Sequence, residues 1–379
     1  MDLVIEHLDD VFPHIQPDTG IIHSVHQGYS VINYVFSTDE TFSTPLAREC
    51  RGLKFAPDGT LIARPFHKFF NLGEKRPPQD EPWDTAHIDL DKLDGSMIHP
   101  ALVAGGMVFM TRMGMSAQSK HAWEVASPEV LVLCADMLRA GYTPIFEFTS
   151  PENRIVVAYD TPALTLLAVR QTRTGLYMPH EEVEVLGRRH GVPVAASFGG
   201  VEDVAQFWTD ARALHGVEGY VIAFDDGHLL KIKADAYVLR HKALAGLAYE
   251  KNLLAWIAKD AVDDVLPLLA PQAAATVRGY QDQVMAAVNR WDAEINEFVA
   301  SHGHMDRKEF AIKTKADIPA RLQSVAFRAL DGTPPRKGLM EVLERASGSD
   351  TKVDAIRPLF DMLWSPMTVG DERCQSPSA

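Results

Sequence analysis

Cysteine is scarce in these 379 residues: Cys50, Cys134 and Cys374 are the only three, and no C-x-x-C pair occurs. An odd, scattered set of thiols excludes a disulfide framework and a thiolate zinc cluster. His302-Gly303-His304 has no Cys or His partner nearby in the sequence, so it reads as a solvated loop. Long apolar runs are also missing, and no stretch approaches the length that spans a bilayer. Met1 to Asp10 is acidic and lacks the basic start and apolar core of a signal peptide. A cytoplasmic protein without membrane contact is expected, in the host cytoplasm if a phage encodes it. Positive charge is in short supply: 37 Lys and Arg against 51 Asp and Glu leave a net charge of −14. That excludes a protein coated in positive potential. It does not exclude a nucleic-acid enzyme, whose affinity comes from local phosphate contacts. No internal repeat or low-complexity tract is present.

What is there is enough for two domains and, at 46% hydrophobic residues, for a full core. Residues 1–243 read as short apolar segments cut by turns at Asp58-Gly59, Asp94-Gly95, Gly105-Gly106, Thr174-Gly175 and Asp226-Gly227, a hairpin pattern. Ser127-Pro128-Glu129 opens a helix running to Ala140, with Ser127 as N-cap, and a second helix covers Val201 to His215. An α+β domain of packed antiparallel sheets with interposed helices is expected. After Ala243 the period changes. Val277, Tyr280, Val284, Val288, Trp291, Ile295 and Phe298 recur every three or four residues, one long amphipathic helix. Leu253, Leu254, Ile257, Val265, Leu268 and Leu269 form an earlier helical stretch that stops near Pro271. Residues 244–369 are therefore expected to be all-helical and 370–379 a disordered tail. Between Asp306 and Arg345, nine Lys or Arg against six acids give a net of +3, a modest excess that is more often a solvated helix face than an RNA contact.

The chemistry is signalled by Lys92-Leu93-Asp94-Gly95-Ser96. Alone, such a string is as compatible with a solvated lysine beside a hairpin turn as with a nucleophile. Its company decides: Arg51-Gly52 and Lys68-Phe69-Phe70-Asn71 upstream; Phe146-Glu147-Phe148, Pro151 to Val157, Val217-Glu218-Gly219-Tyr220-Val221 and Lys231-Ile232-Lys233-Ala234-Asp235-Ala236-Tyr237-Val238 downstream. In that order the blocks resemble the motifs of the covalent nucleotidyltransferases, and the RNA ligase 1 family in particular. The likeness covers about residues 48 to 242.

The resemblance implies a nucleotidyltransferase (adenylation) domain over 1–243 and a helical domain contributing to RNA choice over 244–369. It implies that Lys92 is the nucleophile that takes AMP from ATP. Glu147 would bind the ribose hydroxyls, and Glu218 would act near the lysine, holding a hydrated magnesium ion. Arg51 and Lys68 would orient the β and γ phosphates. Gly95, Phe70 and Tyr237 fall at positions of the nucleotide pocket, the two aromatics being equally readable as core residues. Arg112 stands where the family has lysine, which keeps the charge but changes its shape. Asn153 and Arg154 read as structural or RNA-facing. Lys231 and Lys233 alternate with Ile232 along a strand, so both ammonium groups can reach one phosphate.

A free amine is rare at pH 7, roughly one lysine in 2,500, so the nucleophile needs a pKa lowered by about 3 units. Apolar runs at Met97-Ile98 and Leu102-Val103, with Arg51, Lys68, Lys231 and Lys233 as neighbours, are the expected means. The reaction this points to is ATP- and Mg2+-dependent joining of 5′-phosphate and 3′-hydroxyl RNA ends, on tRNA or other structured RNA, by a monomer. Two rivals remain: a DNA ligase or capping nucleotidyltransferase, weakened by the absence of a strand-rich barrel after Lys233, and a non-catalytic RNA-binding protein.

Overall fold

A computed structural model describes residues 3–15, 17–38, 40–152, 155–269 and 271–365. Asn153, Arg154, Cys374 and the tail 370–379 lie outside the described residues. The chain divides into two compact units, with the boundary between Val238 and Leu239.

The first unit is built on three four-stranded sheets. Its strands in chain order are β1 (Ile21–His26), β2 (Tyr29–Tyr34), β3 (Leu53–Phe55), β4 (Leu61–Ala63), β5 (Phe70–Asn71), β6 (His87–Asp91), β7 (Ser96–Val103), β8 (Gly106–Met110), β9 (Tyr142–Thr149), β10 (Ala163–Gln171), β11 (Gly219–Phe224) and β12 (Leu229–Lys233). The sheet orders are β1-β2-β3-β4, β10-β9-β7-β8 and β5-β12-β11-β6. All pairs are antiparallel except β12 with the two-residue β5, which runs parallel.

Each sheet buries one face. Ile98, Phe146, Phe148 and Leu166 of the second sheet pack with Val130 and Leu133 of the helix Pro128–Arg139. That helix starts as its sequence demands, with Ser127 Oγ accepting from Val130 N and Pro128 at the first turn. Ile222, Leu230 and Ile232 of the third sheet pack against Ala211 of the helix Val204–Ala213. Tyr29, Val31, Ala63, Ala101 and Met110 form an apolar core shared by the first and second sheets.

Three readings of the sequence need correction. Asp94-Gly95 is not a hairpin turn: β6 pairs with β11 in the third sheet and β7 pairs with β9 in the second. The segment Lys92–Gly95 therefore crosses from one sheet to another, because the Asp94 carboxylate binds elsewhere rather than closing a turn. The helical period begins at Asp235, not after Ala243, in the helix Asp235–Gly246. The earlier stretch does stop before Pro271, but as three short helices, Glu250–Ala258, Val262–Val265 and Leu266–Leu268, in place of one; Pro271 then opens the next helix, where proline at the first position gives up an N–H that has no partner anyway.

The second unit, among its described residues, is helical. Its longest helix, Pro271–His302, buries Val277, Tyr280, Val284, Val288, Ile295 and Phe298 on one face. No helix among the described residues is long and apolar enough to cross a membrane.

Candidate active site

Lys92 follows β6 directly, and its backbone N–H donates to Gly219 O at 3.0 Å, which fixes it beside the start of β11. Its ammonium donates to Glu218 Oε1 at 2.7 Å. Lys233, at the end of β12, reaches the same oxygen at 2.8 Å. Glu218 is 4% exposed, so one buried carboxylate carries two ammonium groups.

The turn after Lys92 is held by Asp94, itself 1% exposed. Asp94 Oδ2 accepts from the backbone N–H groups of Val156 and Val157, each at 2.7 Å, and Oδ1 accepts from the Tyr237 hydroxyl at 2.7 Å. The Asp94 N–H donates to the Tyr159 hydroxyl oxygen at 3.0 Å. Gly95 is required next, because a Cβ there would lie 2.3 Å from the Phe148 carbonyl oxygen. Its N–H donates to Glu147 Oε1 at 3.0 Å. Burial pushes the Glu147 carboxyl up to about 8, the charges of Glu218 and Asp94 adding to the shift while Lys92 and the Gly95 N–H oppose it.

Lys231 lies 5.3 Å from the Phe69 ring centroid. Burial, and then the charges of Lys68, Lys92, Lys233 and Arg51, bring its pKa down to about 7. Lys92 itself sits in the ion pair with Glu218. Leu102, expected to wall the site, is 47% exposed, and Val103 packs on the core between the first two sheets. Met97 does line the site, and Ile98 lies in the core behind it.

The cavity at Lys92 encloses about 800 Å³ and also takes in Arg51, Gly95, Glu147, Phe69 and Tyr177. Lys68 and Phe70 belong to a second hollow of about 400 Å³, with Lys75 and Phe42. There the Phe70 ring meets three cations, Lys75 at 4.9 Å, Lys68 at 5.2 Å and Arg48 at 5.7 Å. Arg112 lies over the Tyr34 ring at 4.5 Å and donates to Asn33 Oδ1 at 3.1 Å. The structure therefore brings together Lys92, Gly95, Glu147, Glu218, Lys233 and Tyr237, with Lys231 and Arg51 close by.

Other residues carry no sequence signal and were missed. Glu49, Arg64 and Arg170 form a buried charge cluster at the wall of the large cavity: Arg170 donates to both Glu49 oxygens at 2.6 and 2.8 Å, and Arg64 Nε to Oε2 at 3.1 Å. Burial pushes the Glu49 carboxyl up, but Arg170 and Arg64 outweigh it and hold the pKa down at about 2. Arg170 also lies over the Tyr177 ring at 4.7 Å, and Tyr177 shares a 2.9 Å hydrogen bond with His67 Nδ1.

Residues 49–242, just over half of the chain, match the sequence profile of a family described as RNA ligase. The chain belongs to the RNA ligase family. It is 36% identical over 233 residues to a protein of Thermovibrio ammonificans provisionally named an RNA ligase, covering 59% of this chain and 60% of that one. It is 30% identical over 261 residues to RNA ligase 1 of bacteriophage TS2126, covering 64% of each. The matches thus span less than two thirds of either relative. Among solved structures, an archaeal ATP-dependent RNA ligase is similar at a TM-score of 0.47 and 19% identity, over 60% of this chain and 62% of that one. Every motif residue singled out from the sequence, from Arg51 to Tyr237, falls inside the span that the family covers.

Proposed function

We propose that the protein is an ATP-dependent RNA ligase that joins 5′-phosphate to 3′-hydroxyl ends through a lysine-AMP intermediate. The observation that supports this best is electrostatic. Lys68, Lys92, Lys231, Lys233 and Arg51 are near enough together to depress one of their number. Among the described residues the only carboxylate ion-paired to any of them is Glu218. Such a surplus of half-buried cations suits a polyphosphate.

In this reading the Lys92 amine attacks the α-phosphorus once its proton is given up, and Glu218 Oε1 is the acceptor within reach. Lys231 and Lys233 stabilise charge that develops on the α-phosphate as pyrophosphate leaves. Glu147 holds the ribose. AMP then passes to an RNA 5′-phosphate, and the 3′-hydroxyl displaces it.

Magnesium fits the donor set in one form only. Among the described residues no group of three or more Asp, Glu, His or Cys side chains could cage an ion. One or two carboxylates plus phosphate oxygens are what Mg2+ commonly uses. Asp91, whose pKa is raised by burial and then by Glu218, makes an acid pair with Glu218 beside Lys92. That pair would hold the ion through water, and the ion would neutralise phosphate charge.

The substrate is proposed to be nicked tRNA or other structured RNA, with the second unit supplying the preference. The test is to incubate the protein with ATP and magnesium, weigh it, and then offer matched RNA and DNA strands and a tRNA cut in its anticodon loop. A covalent gain of one AMP followed by sealing of RNA supports the reading. No gain with any nucleotide leaves an RNA-binding protein with a ligase fold, and a gain only with GTP points to capping chemistry.

A further inference from the structure

The apolar core between the first two sheets contains a lysine. Lys54 on β3 stands opposite Val31 of β2 and Ala63 of β4, so it shares a face with two members of that core. It is 0% exposed. Among the described residues no carboxylate is ion-paired to it; its Nζ donates to the carbonyl oxygens of Gly52 at 2.5 Å and Arg112 at 3.1 Å. A buried unpaired charge is strongly disfavoured. Accordingly burial, then the Arg112 and Arg51 guanidiniums, hold this amine well below the ordinary lysine range. Its N–H donors meet two carbonyls, one from each of two turns.

Those carbonyls belong to two turns that each carry a guanidinium. Gly52 has φ +97°, and a Cβ there would lie 2.8 Å from the Arg112 carbonyl oxygen, so the turns touch backbone to backbone. The second turn is closed by paired hydrogen bonds between Thr111 and Gly114. Arg51 and Arg112 are close enough that Arg112, after burial, helps to lower the Arg51 pKa. Neither is ion-paired to a carboxylate among the described residues; Arg51 meets Phe66 O, at 3.4 Å, the Met97 sulfur and the Tyr34 side chain, while Arg112 has the neutral acceptors Asn33 Oδ1 and Tyr34 O. Two like charges held side by side without an acid form a seat for an anion.

We propose that Lys54 is a positioning residue for that seat: by locking the Gly52 and Arg112 carbonyls together, it sets Arg51 and Arg112 at the spacing that grips the β and γ phosphates of a nucleoside triphosphate, or released pyrophosphate. The role rests on the nucleotide reading above.

The test uses ligands that differ in those phosphates. In a Lys92→Ala background, where covalent transfer is blocked, affinities for ATP, pyrophosphate and AMP are measured by calorimetry with and without Lys54→Met. Loss of the clamp should weaken ATP and pyrophosphate by at least about 10-fold and leave AMP within about twofold. Damage spreading through the fold would weaken AMP as well. Equal losses for all three ligands, or no loss, overturn the proposal. Lys54→Gln, which keeps an uncharged double donor, should recover part of the ATP affinity, and it is read in the same way where Lys54→Met fails to fold. A Lys92→Ala protein that binds neither ATP nor pyrophosphate, with Lys54 intact, removes the nucleotide reading itself.

Discussion

The Lys92 ammonium and the Glu218 carboxylate meet at 2.7 Å, and the same oxygen takes Lys233 at 2.8 Å. The proposed nucleophile therefore rests on the group that would receive its proton. Lys92→Ala should abolish the protein-AMP adduct while RNA already carrying a 5′-adenylate is still sealed. Glu218→Gln, which keeps the shape but loses the charge, should slow adduct formation by at least about 10-fold in single-turnover mass spectrometry. An adduct on the Lys92→Ala protein would end the assignment.

Lys231, with its pKa at about 7, is largely neutral at pH 8 in the free protein. Bound phosphate favours the charged form, so ATP binding at pH 8 should take up protons, and Lys231→Met should reduce that uptake. Calorimetry in buffers of different ionisation enthalpy reads it. The stability effect has the opposite sense to a salt bridge: the unfolded lysine keeps its proton to about pH 10.4, so the destabilisation is full below about 7 and relieved as pH rises from there. Lys231→Met should stabilise the fold more at pH 6 than at pH 10. Lys231→Ala or Lys233→Ala should cost about 10²-fold in adenylation.

Glu147 works the other way. Its folded pKa of about 8 lies above the ordinary carboxylate value, so the folded state holds the proton longer and stability falls as pH rises toward 8. Glu147→Gln should leave stability near pH 4 almost unchanged and raise it by at least about 1 kcal/mol at pH 9, while nucleotide affinity drops. Urea melts at the two pH values check this, and a variant with the wild-type slope would contradict it.

Gly95→Ala places a methyl 2.3 Å from the Phe148 carbonyl oxygen, which is backbone and cannot swing away. The turn must move, and the Gly95 hydrogen bond to Glu147 should go with it. Adenylation should fall by about 10²-fold or more in a protein that still melts cooperatively. A wild-type rate would mean that the turn is not held as described.

A chain ending near Tyr249 stops between the helices Asp235–Gly246 and Glu250–Ala258. It should keep adenylation and seal simple strands, yet lose any preference for nicked tRNA. Of the basic residues between 307 and 345, Arg307, Arg328 and Arg345 are ion-paired to acids of the second unit. The exposed Lys308, Lys313, Lys315, Arg321 and Lys337 have no such pair among the described residues and are the better candidates for RNA contact. Removing their charges should flatten the salt dependence of tRNA binding. Full tRNA preference in the truncated protein would move recognition into the first unit.

What could be read from the sequence was whatever sits in a short string. Lys92, Glu147, Glu218, Lys231 and Lys233 each lie in such a string, and the turns at Asp226-Gly227 and Gly105-Gly106 do close hairpins, β11 with β12 and β7 with β8. Asp94 was misread because its partners are the N–H groups of Val156 and Val157 and a tyrosine 143 residues away, and a backbone donor leaves no mark in the residue alphabet. Lys54 carries no mark of its own in the sequence, since its burial depends on which sheet covers β3. Glu49 and Arg170 are 121 residues apart, and only the folded chain shows that each needs the other.

That pairing also limits how this sequence can drift. With Glu49 gone, two guanidiniums are stranded in the interior; with Arg170 gone, the acid loses its two shortest contacts. Either single change costs about 3–5 kcal/mol, although an all-apolar replacement of the whole cluster can be neutral or better. Every one-step route to that replacement passes through a protein stripped of a large share of its stability. The cluster is thus a ratchet, kept in place by the cost of leaving it and not by the strength of its bonds.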